Sequence, residues 1–279
     1  RQQMSDNLPP LRDVIRQYQL SARKKLGQNF LLDLNLTDRI ARAAGDLTRS
    51  NVIEIGPGPG GLTRALLDND ALSVIAVERD PRSAEAIRDL ATHYPGRLTV
   101  VEADALKIDI AELAPAPRKI IANLPYNIAT PLMLKWLKNL EGVEGLTLMF
   151  QREVADRLAA QPRTKAYGRL TIITQWLCEV HAVFNLPKDA FTPPPKVMST
   201  VVNLMPRPKP LGDANFAAME AVTAAAFGQR RKMLRASLKS IGLDPIDADI
   251  TPTARAEELS VEDFCALARL YAENTPDLA

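Results

Sequence analysis

The stretch Val52–Leu66, VIEIGPGPGGLTRAL, limits what this chain can fold into more than any other. An apolar, β-branched run ends at Gly56, and an amphipathic helical pattern begins at Gly61, with Gly58 and Gly60 in between. Glycines at these positions let the backbone turn tightly and approach a ligand closely where a helix begins and its first N–H groups are unpaired. A strand, a glycine-rich turn and a helix open a βαβ unit, and the following residues keep that rhythm. Strand-like runs fall at Asn51–Ile55, Leu72–Val77, Leu98–Glu102, Lys119–Ala122, Leu146–Phe150 and Val197–Leu204. Helical patterns alternate with them, at Gly61–Asp68, Pro81–Tyr94, Thr130–Leu140 and Arg152–Ala160. This alternation predicts an α/β domain, a parallel sheet covered on both faces.

After Leu204 the rhythm stops. MPRPKPLGD holds three prolines and a glycine and reads as a semi-rigid linker. Beyond it, Asn215–Ile241 and Val261–Glu273 show only helical periodicity, with Ser260 as N-cap and Asp263 as the acid of a capping box. The expected organisation is an extension over 1–20, a sheet domain over 21–205, a linker over 206–213 and a small all-helical domain over 214–279. With 279 residues, 46% of them hydrophobic, the chain can bury a full core, and no apolar run approaches the eighteen or so residues of a membrane span. The polar start RQQMSDNLPPLRD lacks the layout of a signal peptide, so a cytoplasmic protein with no membrane partner is expected. Met4 reads as the natural initiator, and Arg1–Gln3 carry no fold argument.

The glycines Gly56, Gly58 and Gly61 satisfy G-x-G-x-x-G, which suits a dinucleotide as well as other nucleotide-like cofactors. Neighbouring acids narrow the choice. Glu78 ends a strand in VIAVERD, where a carboxylate can accept charge-assisted hydrogen bonds from both ribose hydroxyls of an adenosine. Asp104, in VVEADAL, closes the next strand at the same edge of the sheet, within reach of an adenine amino group. Glu54 completes E-x-G-x-G-x-G, the form usual in S-adenosylmethionine-dependent methyltransferases.

The run KIIANLPYNIATPLM ends a strand in an unusual way, because Pro125 lacks the N–H that a ladder needs. Asn123, Leu124, Pro125 and Tyr126 are a loose pattern alone, but at a strand end beside a cofactor crevice they have a chemical rationale. An adenine amino group is a poor nucleophile because its lone pair is delocalised into the ring. A side-chain carbonyl from Asn123 and the backbone carbonyl of Leu124 could accept its two N–H bonds and favour a pyramidal nitrogen. Pro125 would fix that carbonyl and Tyr126 would stack on the base, making a holder for a flipped-out purine.

The net charge is only +2, but its distribution is uneven. LRDVIRQYQLSARKK holds Arg12, Arg16, Arg23, Lys24 and Lys25 against Asp13, and FGQRRKMLRASLK holds Arg230, Arg231, Lys232, Arg235 and Lys239 with no acid. Two such runs in a nearly neutral chain point to an anionic partner. Cys178 and Cys265 lie among apolar residues, far from each other and from His93 and His181, so buried structural thiols and no metal site are expected.

Seven blocks, in order, resemble the small-subunit ribosomal RNA adenine N(6),N(6)-dimethyltransferases: KKLGQNFL, EIGPGPGGLT, VERD, EADAL, NLPYNIATPL, FTPPPKVMSTVV and AFGQRRKMLRASLK. The likeness runs from about Ser21 to the end. It implies a class I S-adenosylmethionine-dependent methyltransferase fold, Rossmann-like with a mostly parallel seven-stranded sheet, and S-adenosylmethionine as methyl donor. It implies as acceptors two adjacent adenosines in the 3′-terminal hairpin loop of 16S rRNA, within the small ribosomal subunit or its precursor, and a role in ribosome biogenesis; a monomer is expected. Carried over by position, Asn29 and Leu31 would close over the cofactor, Gly56 would meet its methionine portion, and Gly58 would also bind the cofactor. Glu78 would hold the ribose, Asp104 the adenine amine, and Asn123 would lie between cofactor and target. Phe191 would press on the target base opposite Tyr126, and Arg23, Lys24, Lys25, Arg230, Arg231, Lys232 and Arg235 would meet RNA.

Three other readings fit parts of the chain. A 23S rRNA adenine methyltransferase shares the donor and Asn-x-Pro-Tyr motifs, though FTPPPKV and QRRKMLRASLK argue against it. A factor acting chiefly in small-subunit assembly would use the same basic runs. A dinucleotide-dependent oxidoreductase would leave Asn123–Tyr126 without a role.

Overall fold

A computed structural model describes residues 7–21 and 27–278 of the chain. It forms two compact units: one holds the described residues up to Arg152 together with His181–Met205, the other Glu153–Val180 together with the described residues from Pro206 onward.

Nine strands occur among the described residues: β1 (Phe30–Leu31), β2 (Asn51–Ile55), β3 (Ser73–Glu78), β4 (Leu98–Glu102), β5 (Arg118–Ala122), β6 (Val143–Gln151), β7 (Cys178–Leu186), β8 (Phe191–Thr192) and β9 (Ser199–Pro206). Seven of them make one sheet in the order β4-β3-β2-β5-β6-β9-β7. The pairs β4/β3, β3/β2, β2/β5 and β5/β6 are parallel, and β6/β9 is antiparallel. β2 is buried along its whole length, as a β-branched run covered on both faces must be. Val52, Leu66, Ile87 and Ile121 are fully buried in the core around it, each contributing about 1.5–3 kcal/mol by leaving water.

Chain order runs outward from β2 to β3 and β4, then returns to place β5 on the other side of β2. The connections therefore diverge between β2 and β5, and a crevice opens outside the carboxyl ends of those strands. The helix Gly61–Asp68 follows β2 directly, with seven of its residues buried.

The described part of the expected N-terminal extension is built into this first unit. The helix Leu11–Gln17 buries Leu11 and Val14, and Val14 and Leu20 pack with Phe30 and Ala86. The strand β7 has no counterpart among the strand-like runs picked out above; CEVHAVFNL lies at the sheet edge with most residues partly or fully exposed, and it follows the helix Arg169–Leu177 without a break.

The second unit departs from expectation in three places. Glu153–Val180, expected with the sheet, packs with the C-terminal helices, because the helix Arg169–Leu177 buries Ile172 and Trp176 against Met219, Val222 and Phe264. The proline-rich stretch is not a free spacer: the N–H of Arg207 donates to Leu177 O at 2.9 Å, that of Leu211 to Trp176 O at 3.0 Å, and Trp176 Nε1 donates to Gly212 O at 2.7 Å. Helical periodicity over Asn215–Ile241 becomes a helix Phe216–Gly228 and a short one at Leu234–Ser237. The break follows Gly228, where the chain is pinned sideways by Leu234 N donating to Ala254 O at 2.8 Å and Arg235 N donating to Pro252 O at 3.0 Å.

The helix Val261–Glu273 starts as its sequence says, with Asp263 N donating to Ser260 Oγ and Ser260 N donating to Asp263 Oδ2, both at 3.1 Å. Cys178 and Cys265 are free and buried, and burial pushes their thiols up to about 12 and about 11. Among the described residues, no helix is long and apolar enough to cross a membrane, and no three His, Cys, Asp or Glu side chains gather as metal ligands would.

Candidate active site

The crevice beyond β2 and β5 is a cavity whose walls come from the ends of four adjacent strands. Gly56 follows β2, Glu78 ends β3, Asp104 lies two residues past β4 and Asn123 follows β5, and all four line it. Gly56 has φ +67°, and a Cβ there would meet nothing within 4 Å, so the turn opens directly onto empty space. A side chain at this position would fill the cradle.

Glu78 is held by two backbone donors, Asp80 N on Oε1 at 2.9 Å and Gly58 N on Oε2 at 3.4 Å. Burial pushes its carboxyl up, an effect those two donors oppose. Gly58 does not line the cavity, contrary to the expected cofactor contact. Its would-be Cβ faces Phe30 Cδ1 and Cε1 at 3.1 Å, so it acts through Glu78 and packing. Glu54 also lines the cavity, wholly buried, and accepts a hydrogen bond from Thr63 Oγ1 at 2.5 Å. Burial, with the neighbouring Glu78 carboxylate adding to it, pushes Glu54 from the ordinary 4.5 to about 8 despite that bond. Asp104 caps the 3₁₀ turn Ala105–Lys107 by accepting from Leu106 N on Oδ1 at 3.0 Å, which leaves Oδ2 for a further donor.

A segment from the N-terminal side closes the cavity. β1 pairs antiparallel with β8, Phe30 opposite Thr192 and Leu31 opposite Phe191, so the QNFL and FTPPP blocks form one ribbon. Asn29, Leu31 and Phe191 all line the cavity, and Phe191 is only 2% exposed. The ribbon is tied down at several points. Asn123 Nδ2 donates to Asn29 O at 3.0 Å, Gln28 Nε2 donates to Asp80 Oδ2 at 3.5 Å, and the backbone at Gly27 passes close to Pro125. Gly61 makes room for it: a Cβ there would stand 2.7 Å from Leu31 O.

The bond from Asn123 Nδ2 orients the amide, so Oδ1 is the end left to accept from a ligand. Leu124, Pro125 and Tyr126 follow in the wall, Pro125 as N-cap of the helix Tyr126–Leu137. The Tyr126 hydroxyl shares a hydrogen bond with Ser199 Oγ, which fixes the ring, and burial raises its pKa while that bond opposes the rise.

Sequence reasoning missed Gln28, Asp80 and Ser199. Asp80 had a signal, since an Asp directly before Pro81 is a helix N-cap, and its side chain accepts from Arg82 N at 3.0 Å. The other two are set by pairings between distant segments.

The basic residues divide. Arg23, Lys24 and Lys25 lie outside the described residues. Arg230, expected to meet RNA, is engaged inside the second unit: Nη1 donates to Tyr167 O at 2.7 Å, and Nη2 donates to Thr164 O at 2.9 Å and pairs with Glu257 at 3.1 Å. Arg231, Lys232 and Arg235 are exposed.

A doubly wound sheet with an open glycine turn, two acids closing the next strands and an Asn-Leu-Pro-Tyr corner defines an S-adenosylmethionine-dependent methyltransferase of class I, of the kind that modifies amino groups of bases. The chain belongs to the ribosomal RNA adenine dimethylase family, whose model matches residues 19–273. It is 62% identical to the ribosomal RNA small subunit methyltransferase A of Paramagnetospirillum magneticum (strain ATCC 700264 / AMB-1), over 97% of this chain and 98% of that one. It is 60% identical to the protein of the same name from Rhodospirillum rubrum, over 95% and 93%. Among solved structures it is similar to a dimethyladenosine transferase from Plasmodium falciparum, with 28% identity, TM-score 0.75 and coverage of 86% and 96%. It is also similar to the 23S rRNA methyltransferase ErmE, with 31% identity, TM-score 0.66 and coverage of 86% and 98%.

Proposed function

We propose that this chain dimethylates the 6-amino groups of two adjacent adenosines in the 3′-terminal hairpin loop of 16S rRNA, within the small ribosomal subunit or its precursor, and that it acts in the cytoplasm as a monomer. The observation that carries the chemistry is the oriented Asn123 amide at the mouth of an acid-lined cavity. The identity of 62% to a small-subunit relative, against 31% to a 23S enzyme, favours the small subunit as substrate.

S-Adenosylmethionine fits the cavity: Gly56 leaves an open cradle, Glu78 suits ribose hydroxyls, Asp104 Oδ2 suits an adenine amine, and Asn29 and Leu31 stand over it. When bound, it supplies a methyl group made electrophilic by its sulfonium. The chain supplies position. Asn123 Oδ1 and the Leu124 carbonyl accept the two N–H bonds of the target amine, strengthening as its nitrogen becomes pyramidal. Tyr126 and Phe191 hold the two faces of the base. No general base is required, because the methylated nitrogen is acidic and loses its proton to solvent after transfer. Exposed Arg231, Lys232 and Arg235 follow RNA phosphates, and the helical unit serves recognition.

Labelled methyl transfer to unmethylated small subunits, followed by mapping of the modified nucleotides, tests the reading. Label on two neighbouring adenosines of the 3′-terminal loop is the expected result. Label on large-subunit RNA, or elsewhere in 16S rRNA, would overturn it.

A further inference from the structure

The helix that begins at Tyr126 carries Lys135 at its far end, half-buried, with its ammonium bonded to backbone carbonyls. Nζ donates to Ala105 O at 3.1 Å, Leu106 O at 3.0 Å and Ile108 O at 2.6 Å, which uses all three of its protons. These carbonyls belong to the turn that Asp104 caps, at the end where a short 3₁₀ helix leaves carbonyls unpaired and where a cation is favourable. Two other bonds shape the same turn, Leu106 N to Asp104 Oδ1 at 3.0 Å and Lys107 N to Asp104 O at 2.9 Å. Asp104 and Leu106 both line the cavity, and Leu106 is otherwise 41% exposed, with little packing to hold it. One ammonium therefore fastens the adenine side of the cavity to the helix that starts at the catalytic corner.

We infer that Lys135 is a positioning residue that sets the preference for a 6-amino base in the cofactor, resting on the assignment of Asp104 to the adenine amine. With the turn clamped, Asp104 Oδ2 stays where it accepts from an exocyclic N–H and repels a 6-oxo group. With the turn loose, the carboxylate can swing away, so adenine loses a bond and hypoxanthine loses a repulsion.

The test measures equilibrium affinity for S-adenosylhomocysteine and S-inosylhomocysteine by calorimetry, with no turnover involved. Lys135→Met should weaken the adenine ligand roughly tenfold, the scale of one hydrogen bond to a charged group, and leave the inosine ligand unchanged or tighter as its repulsion is relieved, narrowing the ratio. Amide exchange at Leu106 and Lys107 should quicken in the same variant. Lys135→Arg keeps the charge and should recover part of the ratio; it also serves if the methionine variant folds poorly. Asp104→Asn tests the underlying assignment separately. If Asp104→Asn narrows the ratio and both Lys135 variants keep it, the role of Lys135 is overturned while the site stands. If Asp104→Asn itself leaves the ratio intact, the adenine assignment falls.

Discussion

Asn123→Ala removes one amide with two separable jobs on the proposed reading, one at each end of the group. In the proposed reaction the Oδ1 end accepts from the target amine and gains strength as that nitrogen becomes pyramidal, so its loss should raise the barrier by about 2.7–4 kcal/mol, or roughly 100- to 1,000-fold in rate. The Nδ2 end donates to Asn29 O at 3.0 Å and holds down the closing segment. Its loss leaves a partly buried carbonyl without that partner, about 1 kcal/mol, so cofactor affinity should fall about fivefold. Particle binding should hardly change, because the exposed basic residues proposed to follow phosphates are elsewhere. Single-turnover methyl transfer at saturating small subunit isolates the first effect, calorimetry with S-adenosylmethionine the second, and filter binding the third. A rate loss under tenfold, or one that tracks loss of particle affinity, would show that Asn123 ends a strand and does no chemistry.

Further outcomes are expected elsewhere in the molecule. Glu54 is protonated over a range where the unfolded chain ionises it, so its contribution to stability is full below about pH 4.5 and is lost as pH rises to about 8. Glu54→Gln should flatten that slope, by up to about 5 kcal/mol at 1.36 kcal/mol per pH unit, and denaturation from pH 5 to pH 9 that runs parallel in both proteins would refute the buried acid. Arg230→Met should destabilise the second unit by roughly 2–3 kcal/mol, the scale for a charged group bonded to carbonyls, read by thermal denaturation. Changing exposed Arg231, Lys232 and Arg235 to Gln should leave the melting point alone and flatten the salt dependence of RNA binding by about 0.7–0.9 log units for each phosphate no longer neutralised. Gly61→Ala should weaken the cofactor site by displacing the ribbon, since the new Cβ would press on Leu31 O; a variant with unaltered cofactor affinity would show that the ribbon yields freely.

The parts of the site legible in the sequence are those that sit at strand ends. Gly56, Glu78, Asp104 and Asn123 could be placed together because each follows an apolar run of strand length, and parallel strands bring their carboxyl ends to one edge. The ribbon of β1 and β8 could not be read this way, because Leu31 and Phe191 pair across most of the domain and neither two-residue strand has a period of its own. The helix Arg169–Leu177 hid for another reason: Thr171–Thr174 is TIIT, β-branched throughout, and burial on all sides overrides its propensity. Arg230 misled because a basic run looks solvated from the sequence, while the carbonyls that claim its guanidinium lie more than sixty residues away.

The glycines show why one motif could leave the ligand open. Gly56 alone of the motif's three faces the cavity without a neighbour to meet; Gly58 hands its N–H to Glu78 beneath Phe30, and Gly61 makes room for a backbone carbonyl of the closing ribbon. Two of the three positions in G-x-G-x-x-G are therefore demanded by packing around a tight turn, which any ligand at such a turn would share. What separates a methyl donor from a dinucleotide here is not the turn but its neighbours. A wholly buried Glu54, whose carboxyl burial pushes up, lines the cavity, and a second acid, Asp104, lies two residues past β4. Above all, an amide oriented by a bond from its own N–H offers its oxygen at the mouth, where hydride transfer would have no use for it.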